Sequence, residues 1–199
     1  KLNVWWQAVT TMPSMTITQW QQLDLVARWL IATRASVLLM TLSSAAIGGI
    51  LAWGDGAFNA GLFALTVIGL GFAHATNNLL NDYTDSRRGI DRDNYYRNQY
   101  GVHVLEDGLM SERQFWGYLG VTAGIALLLG AWLISQRSGL TLDLMLAGGF
   151  FVLFYTWPLK YYGLGEPAVL LVWGPLMVGG SYYVLAGQWS WSVTWLSLV

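Results

Sequence analysis

The sequence contains no cysteine, and it carries little charge for its length. Without cysteine the chain has neither a disulfide framework nor a thiolate metal site. Charged residues make up 11% of the 199 residues, whereas soluble domains usually carry about 25%. No secretory signal peptide is visible in the first residues, which lack a basic segment followed by an apolar one and a small-residue cleavage site. These absences argue against both a disulfide-rich secreted domain and an ordinary soluble protein.

Apolar and aromatic residues are abundant instead. Hydrophobic residues make up 55% of the chain, which contains 12 Trp and 10 Tyr and has a mean hydropathy of +0.44. Amphipathic aromatic rings are favoured where membrane segments meet the lipid–water interface. The composition therefore predicts an integral membrane protein. The net charge of −1 says nothing about partners, and we expect the lipid bilayer, but no nucleic acid, among them.

Five apolar segments approach the length of about 20 residues that a spanning helix needs. They cover residues 34–53, 60–80, 115–134, 141–158 and 167–186, and a sixth begins near Ser192. The runs are continuous rather than alternating, which disfavours strands, and Pro158 is expected to break the fourth helix. The sequence predicts an all-α, polytopic membrane helical bundle with about five transmembrane helices. Glycine-rich stretches at 45–56 and 146–151 are typical of close helix packing in lipid.

The chain divides into an N-terminal segment, 1–33, and a single transmembrane domain, 34–199. In the N-terminal segment, apolar residues recur on one helical face, which predicts an amphipathic helix lying in the membrane interface or packed on the protein. These residues are Ile17, Trp20, Leu23, Val26, Trp29 and Leu30.

Basic residues predict the orientation. With five spans, almost all of them fall on one side of the membrane, and the opposite short loops contain only Arg137. Because basic loops stay inside the cell, we expect that side to face the cytoplasm. The basic residues on that side are Arg28, Arg34, Arg87, Arg88, Arg92, Arg97, Arg113 and Lys160.

A polar cluster, NNLLNDYTDSRRGIDRD at residues 77–93, follows the second apolar run. On a helix that continues to about residue 86, Asn78 lies one turn before Asp82, and Asn81 lies one turn before Asp85. All four side chains then share one broad face. Mg²⁺ binds one or two carboxylates and completes its shell with water and phosphate oxygens. The spacing therefore predicts a one-sided magnesium site.

Three arginines come directly after these ligands and could bind phosphate groups, bidentately where the geometry permits. They are Arg87, Arg88 and Arg92. Two other interpretations of the cluster stay open, namely a salt-bridged helix end at the headgroup level and a proton or cation relay. Asparagines at membrane depth weigh against the first, because an unpaired amide there is costly.

Residues 81–91, NDYTDSRRGID, resemble the first aspartate-rich motif of the UbiA superfamily of membrane prenyltransferases. The form NDYxDxxxGxD is most similar to the 1,4-dihydroxy-2-naphthoate prenyltransferase branch. Further similarities follow in order over roughly residues 30 to 190. They are Arg34 at the start of the first span, VLEDGLMSERQ at 104–114, YGLGE at 162–166, Gly174-Pro175 and Tyr182-Tyr183. Two departures are Ala35, where the family usually has proline, and His103, where relatives often carry a basic residue.

The resemblance implies a nine-span helical fold with a central cavity and a second acidic motif in a later cytoplasmic loop. The sequence ends before such a motif, and Asp143 is isolated and predicted to lie on the far side. The chain begins with Lys and ends in an apolar stretch. We therefore expect it to be incomplete at the C-terminus.

The resemblance also implies an activity, the Mg²⁺-dependent transfer of a polyprenyl group from polyprenyl diphosphate to an aromatic acceptor. The closest branch uses 1,4-dihydroxy-2-naphthoate and gives demethylmenaquinone. Asn78, Asp82 and Asp85 would bind the metal, with Asn81 and Asp91 supporting it. Arg34, Arg87, Arg88 and Arg92 would bind the diphosphate, and Glu166 would orient or deprotonate the acceptor. Aromatic candidates for stabilising an allylic cation are Tyr83, Tyr155, Trp157 and Tyr161, whereas we expect His74 to be hydrogen-bonded inside the bundle.

Three alternatives remain. The chain could use another aromatic acceptor, or a different acceptor within the same superfamily. It could be a non-catalytic subunit of a membrane complex that keeps the fold, or a small cation or proton transporter, although no internal repeat supports the last. We expect the protein in a bacterial or archaeal cell (inner) membrane, with the acidic motif facing the cytoplasm.

Overall fold

The computed structural model describes residues 2–88 and 101–198, and within these ranges the chain is helical with no strand. The prediction of an all-α membrane bundle is confirmed. The described residues form nine helices. They are α1 (Leu2–Thr10), α2 (Ile17–Gln21), α3 (Leu25–Ala32), α4 (Leu38–Gly54), α5 (Ala60–Arg88), α6 (Glu112–Gln136), α7 (Leu140–Lys160), α8 (Gly165–Ala186) and α9 (Trp191–Leu196).

Four of these helices, α5 to α8, are long and apolar enough to cross a membrane, and α4 is a shorter apolar helix of 17 residues. They coincide with the five predicted spans, but two boundaries differ. Helix α4 begins at Leu38 instead of residue 34, because Arg34 has a φ of 52°, outside the helical region. Helix α5 continues to Arg88, and its last turns carry the polar cluster.

Helix α7 breaks where Pro158 predicts. It has α-helical geometry as far as Phe154 and then a wider turn from Tyr155 to Lys160. Within that turn Trp157 leaves helical geometry, with φ −140° and ψ 128°. A residue before proline is pushed towards extended backbone by the proline ring. The break directs the last residues of α7 towards the end of α5 that carries the cluster.

The two glycine-rich stretches play different parts. A Cβ atom added at Gly48 would lie 2.5 Å from the carbonyl oxygen of Val178, so α4 and α8 approach closely there. Gly148 and Gly149 meet no atom within 4 Å and border a cavity instead. The prediction of close helix packing is confirmed for residues 45–56. It is wrong for residues 146–151, because a glycine can leave open space as well as let a neighbouring helix approach.

The predicted amphipathic helix is interrupted at residues 22–24. Asp24 caps α3 by accepting a hydrogen bond from the Ala27 amide at 2.9 Å, which starts a new helix. Trp20 and Ile31 are buried in a core shared with α5 and α6, whereas Ile17 stays exposed. The N-terminal helices thus pack partly against the bundle and keep an exposed apolar side.

Helix α5 packs against α4, α6, α7 and α8. At the end where its polar cluster lies, the turn between α3 and α4, the start of α6 and the end of α7 also converge. Arg137 lies at the opposite end, where it donates hydrogen bonds to the carbonyl oxygens of Val184 and Leu185. The described basic residues are therefore distributed between the two ends as the sequence predicts, while the side of the membrane stays a prediction.

Candidate active site

Two buried carboxylates lie three residues apart on the last turns of α5. The side chains of Asp82 and Asp85 are 3% and 2% exposed. Burying a charge is costly unless a partner of opposite charge accompanies it. We therefore expect each carboxylate to have an oppositely charged partner.

Asp82 is paired with Arg34. A nitrogen of the Arg34 guanidinium donates to Oδ1 of Asp82, and Nδ1 of His103 lies 3.8 Å from the same oxygen. Arg34 reaches this position from the turn between α3 and α4, where its backbone has the positive φ noted above. A non-glycine residue rarely adopts that conformation. The fold therefore holds Arg34 at the carboxylate at some conformational cost.

Asp85 is paired with Lys160. The Nζ atom of Lys160 lies 3.4 Å from Oδ2 of Asp85, and the lysine side chain is 43% exposed. Lys160 comes from the wide turn that ends α7, two residues after Pro158. In the sequence Lys160 indicates only the orientation, and its place beside Asp85 is not predicted. The signal for it is TWPLK, where Pro158 breaks the helix end that carries the cation.

The three asparagines of the cluster fix α5 to its neighbours. Nδ2 of Asn78 donates to the Thr33 carbonyl oxygen at 2.8 Å, and Nδ2 of Asn77 donates to that of Val152 at 3.1 Å. Oδ1 of Asn81 accepts a hydrogen bond from Thr156 at 3.2 Å. Because the side-chain nitrogen of Asn78 donates to Thr33, this hydrogen bond sets the orientation of the amide group.

The arginines after the carboxylates have contacts of their own. Arg87 pairs with Glu112 at the start of α6 and donates to the Tyr83 hydroxyl at 3.3 Å. The Arg88 guanidinium lies over the rings of Trp157 and Tyr161, at 4.7 and 5.7 Å from their centroids. Binding a diphosphate through either arginine would exchange these contacts for new ones. Asp91 and Arg92 lie outside the described residues.

The donor set suits magnesium. Among the described residues no three acidic, His or Cys side chains form a ready-made metal cluster. Mg²⁺ does not require one, because it commonly takes one or two carboxylates and fills its shell with water and substrate phosphate oxygens. Asp82, Asp85 and the amide oxygen of Asn78 supply such a set on one face of α5. Arg34 and Lys160 add positive charge next to the place where a diphosphate would lie.

A cavity of about 580 Å³ begins at this site and runs between α5, α6, α7 and α8. One end of the cavity is bordered by Asn77, Asn78 and Asn81. Thr66, on the same helix, lines the wall further along the cavity. Fifteen residues separate Asn81 from Thr66, which is about 22 Å along a helix. Its wall is mainly apolar, so the cavity is suited to a long hydrocarbon chain.

The remaining residues predicted from the sequence differ in whether they line the cavity. Tyr155 lines the cavity, whereas Tyr83 packs against Phe115 and Trp116, outside it. Glu166 is exposed in the first turn of α8 and is not among the described residues that line the cavity. Asp143 lies in the first turn of α7, at the opposite end of that helix from Lys160.

The chain is also similar in sequence to known proteins. The 1,4-dihydroxy-2-naphthoate octaprenyltransferase of Escherichia coli (strain K12) is similar to the chain, with 28% identity over 175 residues, covering 83% of the chain. The chain spans 56% of the length of that relative. No solved structure matches the chain. The model of the UbiA prenyltransferase family matches residues 41–199, and the chain belongs to that family.

Proposed function

We propose that the protein transfers a polyprenyl group from polyprenyl diphosphate to an aromatic acceptor, with Mg²⁺ as cofactor. The observation that carries the proposal is the pair of buried carboxylates, Asp82 and Asp85, each beside a cation and one helical turn beyond Asn78 and Asn81, which border one end of a mainly apolar cavity. The charged side chains lie where the diphosphate group would bind, and the apolar wall lies where the isoprenoid chain would bind. Similarity to the E. coli enzyme favours 1,4-dihydroxy-2-naphthoate as the acceptor.

The polar residues have separate roles in this proposal. Asn78, Asp82 and Asp85 hold the metal ion, with Asn81 and Asp91 in support. Arg34 and Lys160 bind the diphosphate from two sides, because both already lie at the carboxylates. Arg87 and Arg88 bind it from the outer side once their present partners are exchanged, and Arg92 is the third arginine of this set.

Bound Mg²⁺ would neutralise charge on the diphosphate leaving group. The chain supplies the rest of the chemistry. Arg34 and Lys160 stabilise the negative charge that grows on the leaving oxygen, and the apolar wall keeps water away from the allylic carbon. Tyr155 lines the cavity near this site and offers a π face to the developing cation. Glu166 would orient or deprotonate the acceptor after a movement towards the cavity.

We further propose that the motif faces the cytoplasm of a bacterial or archaeal cell. The described basic residues support this orientation, because Arg28, Arg34, Arg87 and Lys160 share the motif end and basic loops are retained inside. The diphosphate group of the donor and the acceptor would then reach the site from the cytoplasmic side of the membrane.

The test is a transfer assay with the purified protein, at its natural length, in lipid nanodiscs. Polyprenyl diphosphate is supplied with Mg²⁺ and either 1,4-dihydroxy-2-naphthoate or 4-hydroxybenzoate, and the product is identified by mass. We expect the prenylated 1,4-naphthalenediol or its quinone, with the carboxylate lost as CO2, and no product when EDTA removes the metal. Prenylated 4-hydroxybenzoate alone would keep the reaction class and replace the acceptor. Donor binding without transfer to any aromatic would instead support a non-catalytic subunit.

A further inference from the structure

His74 lies in the wall of the cavity, eight residues before Asp82 on α5. Its Nδ1 atom is 2.7 Å from the hydroxyl oxygen of Thr41 on α4, and Thr41 is fully buried behind the cavity wall. The imidazole also makes an edge-on contact with Trp173 of α8, with 6.1 Å between ring centroids. Two neighbouring helices therefore fix the ring. Because Nδ1 is turned towards Thr41 and the residue lines the cavity, Nε2 is the ring nitrogen that remains to face the cavity.

The hydrogen bond to Thr41 assigns the proton on the ring. Other threonines of the bundle, such as Thr66 and Thr76, donate to a carbonyl oxygen of their own helix. In the described part of the chain Thr41 has His74 alone as its hydrogen-bond partner. A buried hydroxyl that only accepted would leave its hydrogen unpaired, which is costly. Thr41 therefore donates to Nδ1, and the neutral ring carries its proton on Nε2.

A fixed N–H group inside a mainly apolar cavity needs an oxygen acceptor. A prenyl chain is a hydrocarbon and has none, so His74 facing the prenyl chain would leave a polar group desolvated and unpaired. The diphosphate is held at Asp82 and Asp85, and eight helical residues place His74 about 12 Å from Asp82. A two-ring aromatic with oxygen substituents is of a size to fill this interval while its reacting carbon stays beside the donor.

We propose that Nε2 of His74 donates a hydrogen bond to an oxygen substituent of the aromatic acceptor, with Thr41 holding the ring in that orientation. The inference rests on the proposed function, since it assumes that an aromatic acceptor enters the cavity. His74 then sets how the acceptor ring lies against the allylic carbon. It is a binding residue for the acceptor and takes no part in diphosphate recognition.

The experiment compares three variants in the protein at its natural length. His74→Leu removes the donor, His74→Gln restores an amide N–H, and Thr41→Val removes the hydroxyl that orients the ring. For His74→Leu we expect KM for 1,4-dihydroxy-2-naphthoate to rise about tenfold or more, as for the loss of a hydrogen bond in an apolar site. We expect KM for the prenyl donor to stay the same, His74→Gln to recover part of the loss, and Thr41→Val to show a smaller effect in the same direction.

Thr194→Val is the matched control, because it deletes a buried threonine hydroxyl that bonds only within its own helix, outside the cavity. It should leave both KM values unchanged. An unchanged acceptor KM in His74→Leu, or a loss confined to the donor KM, would overturn the inference while leaving the proposed function intact.

A binding measurement separates the two proposals. We expect the naphthoate alone to raise the melting temperature of the wild-type protein in detergent and to have a much smaller effect on His74→Leu. If that difference is present but no prenyl transfer occurs, the proposed function is wrong and the inference about His74 stands. If the naphthoate stabilises both proteins equally, the inference is wrong whatever the transfer assay gives.

Discussion

At the scale of the residue, the site consists of two buried carboxylates, each next to a side chain of opposite charge. Asp82 and Asp85 are almost inaccessible, and each has a cation that comes from another part of the chain, Arg34 or Lys160. Such pairs contribute little net stability, because desolvation offsets much of the attraction. Their position next to the asparagines that border the cavity fits a role in binding better than a role in folding.

Replacing Lys160 by Met tests this role. We expect KM for the prenyl diphosphate to rise by about ten- to a hundredfold, because a charge-assisted hydrogen bond contributes about 1.5–3 kcal/mol. Lys160→Arg should keep most of the affinity. Steady-state kinetics with the donor varied at saturating acceptor gives the result.

Arg113→Met is the matched control, because it removes one exposed positive charge at the same end of the bundle. A general loss of electrostatic attraction would affect both variants equally. Equal changes in the donor KM would therefore contradict a specific role for Lys160.

At the scale of the element, glycine decides how closely helices approach. At Gly48 the backbone of α4 meets the backbone of α8, and the space for a side chain is absent. At Gly148 and Gly149 on α7, the lack of a side chain leaves open space that forms part of the cavity. Packing in lipid relies on such close approach, because there is little hydrophobic drive between helices.

Gly48→Ala should lower the melting temperature of the protein. The added methyl group would lie 2.5 Å from the Val178 carbonyl oxygen, so α4 and α8 must separate, and overpacking of this kind costs about 1–3 kcal/mol. Thermal unfolding in detergent, followed by circular dichroism, measures the change.

The control for this substitution is Gly120→Ala on α6, where an added Cβ meets no atom within 4 Å. Alanine favours a helix over glycine, so this variant should be no less stable than wild type. Equal destabilisation by both variants would show that glycine itself, and not the α4–α8 contact, matters.

How much the sequence predicts depends on how local each feature is. The shared face of Asn78, Asp82 and Asp85 lies within one helix, so spacing alone predicts it. Lys160 is 75 residues from Asp85 along the chain, and only the fold shows that the two meet. The start of α4 could not be placed either, because the positive φ of Arg34 is not visible in the local apolar pattern.

At the scale of the whole molecule, α5 connects the two properties that the proposed reaction needs. Its final turns carry the carboxylates, and its middle turns form one wall of the cavity. Helices α6, α7 and α8 complete the wall, and the broken end of α7 brings Lys160 back to the carboxylates. The charged cluster and the apolar cavity are thereby placed end to end, as the proposed polyprenyl diphosphate donor requires.

The most direct measurement is the rate of prenyl transfer by Asp82→Asn and Asp85→Asn in the protein at its natural length, with Asp143→Asn as the control. Asn preserves shape and removes charge, and Asp143 lies at the opposite end of α7 from the site. Thermal unfolding of each variant establishes that it is folded. The account predicts a loss of about a hundredfold or more for each of the first two variants and a wild-type rate for the third. Undiminished transfer by folded Asp82→Asn and Asp85→Asn would contradict it.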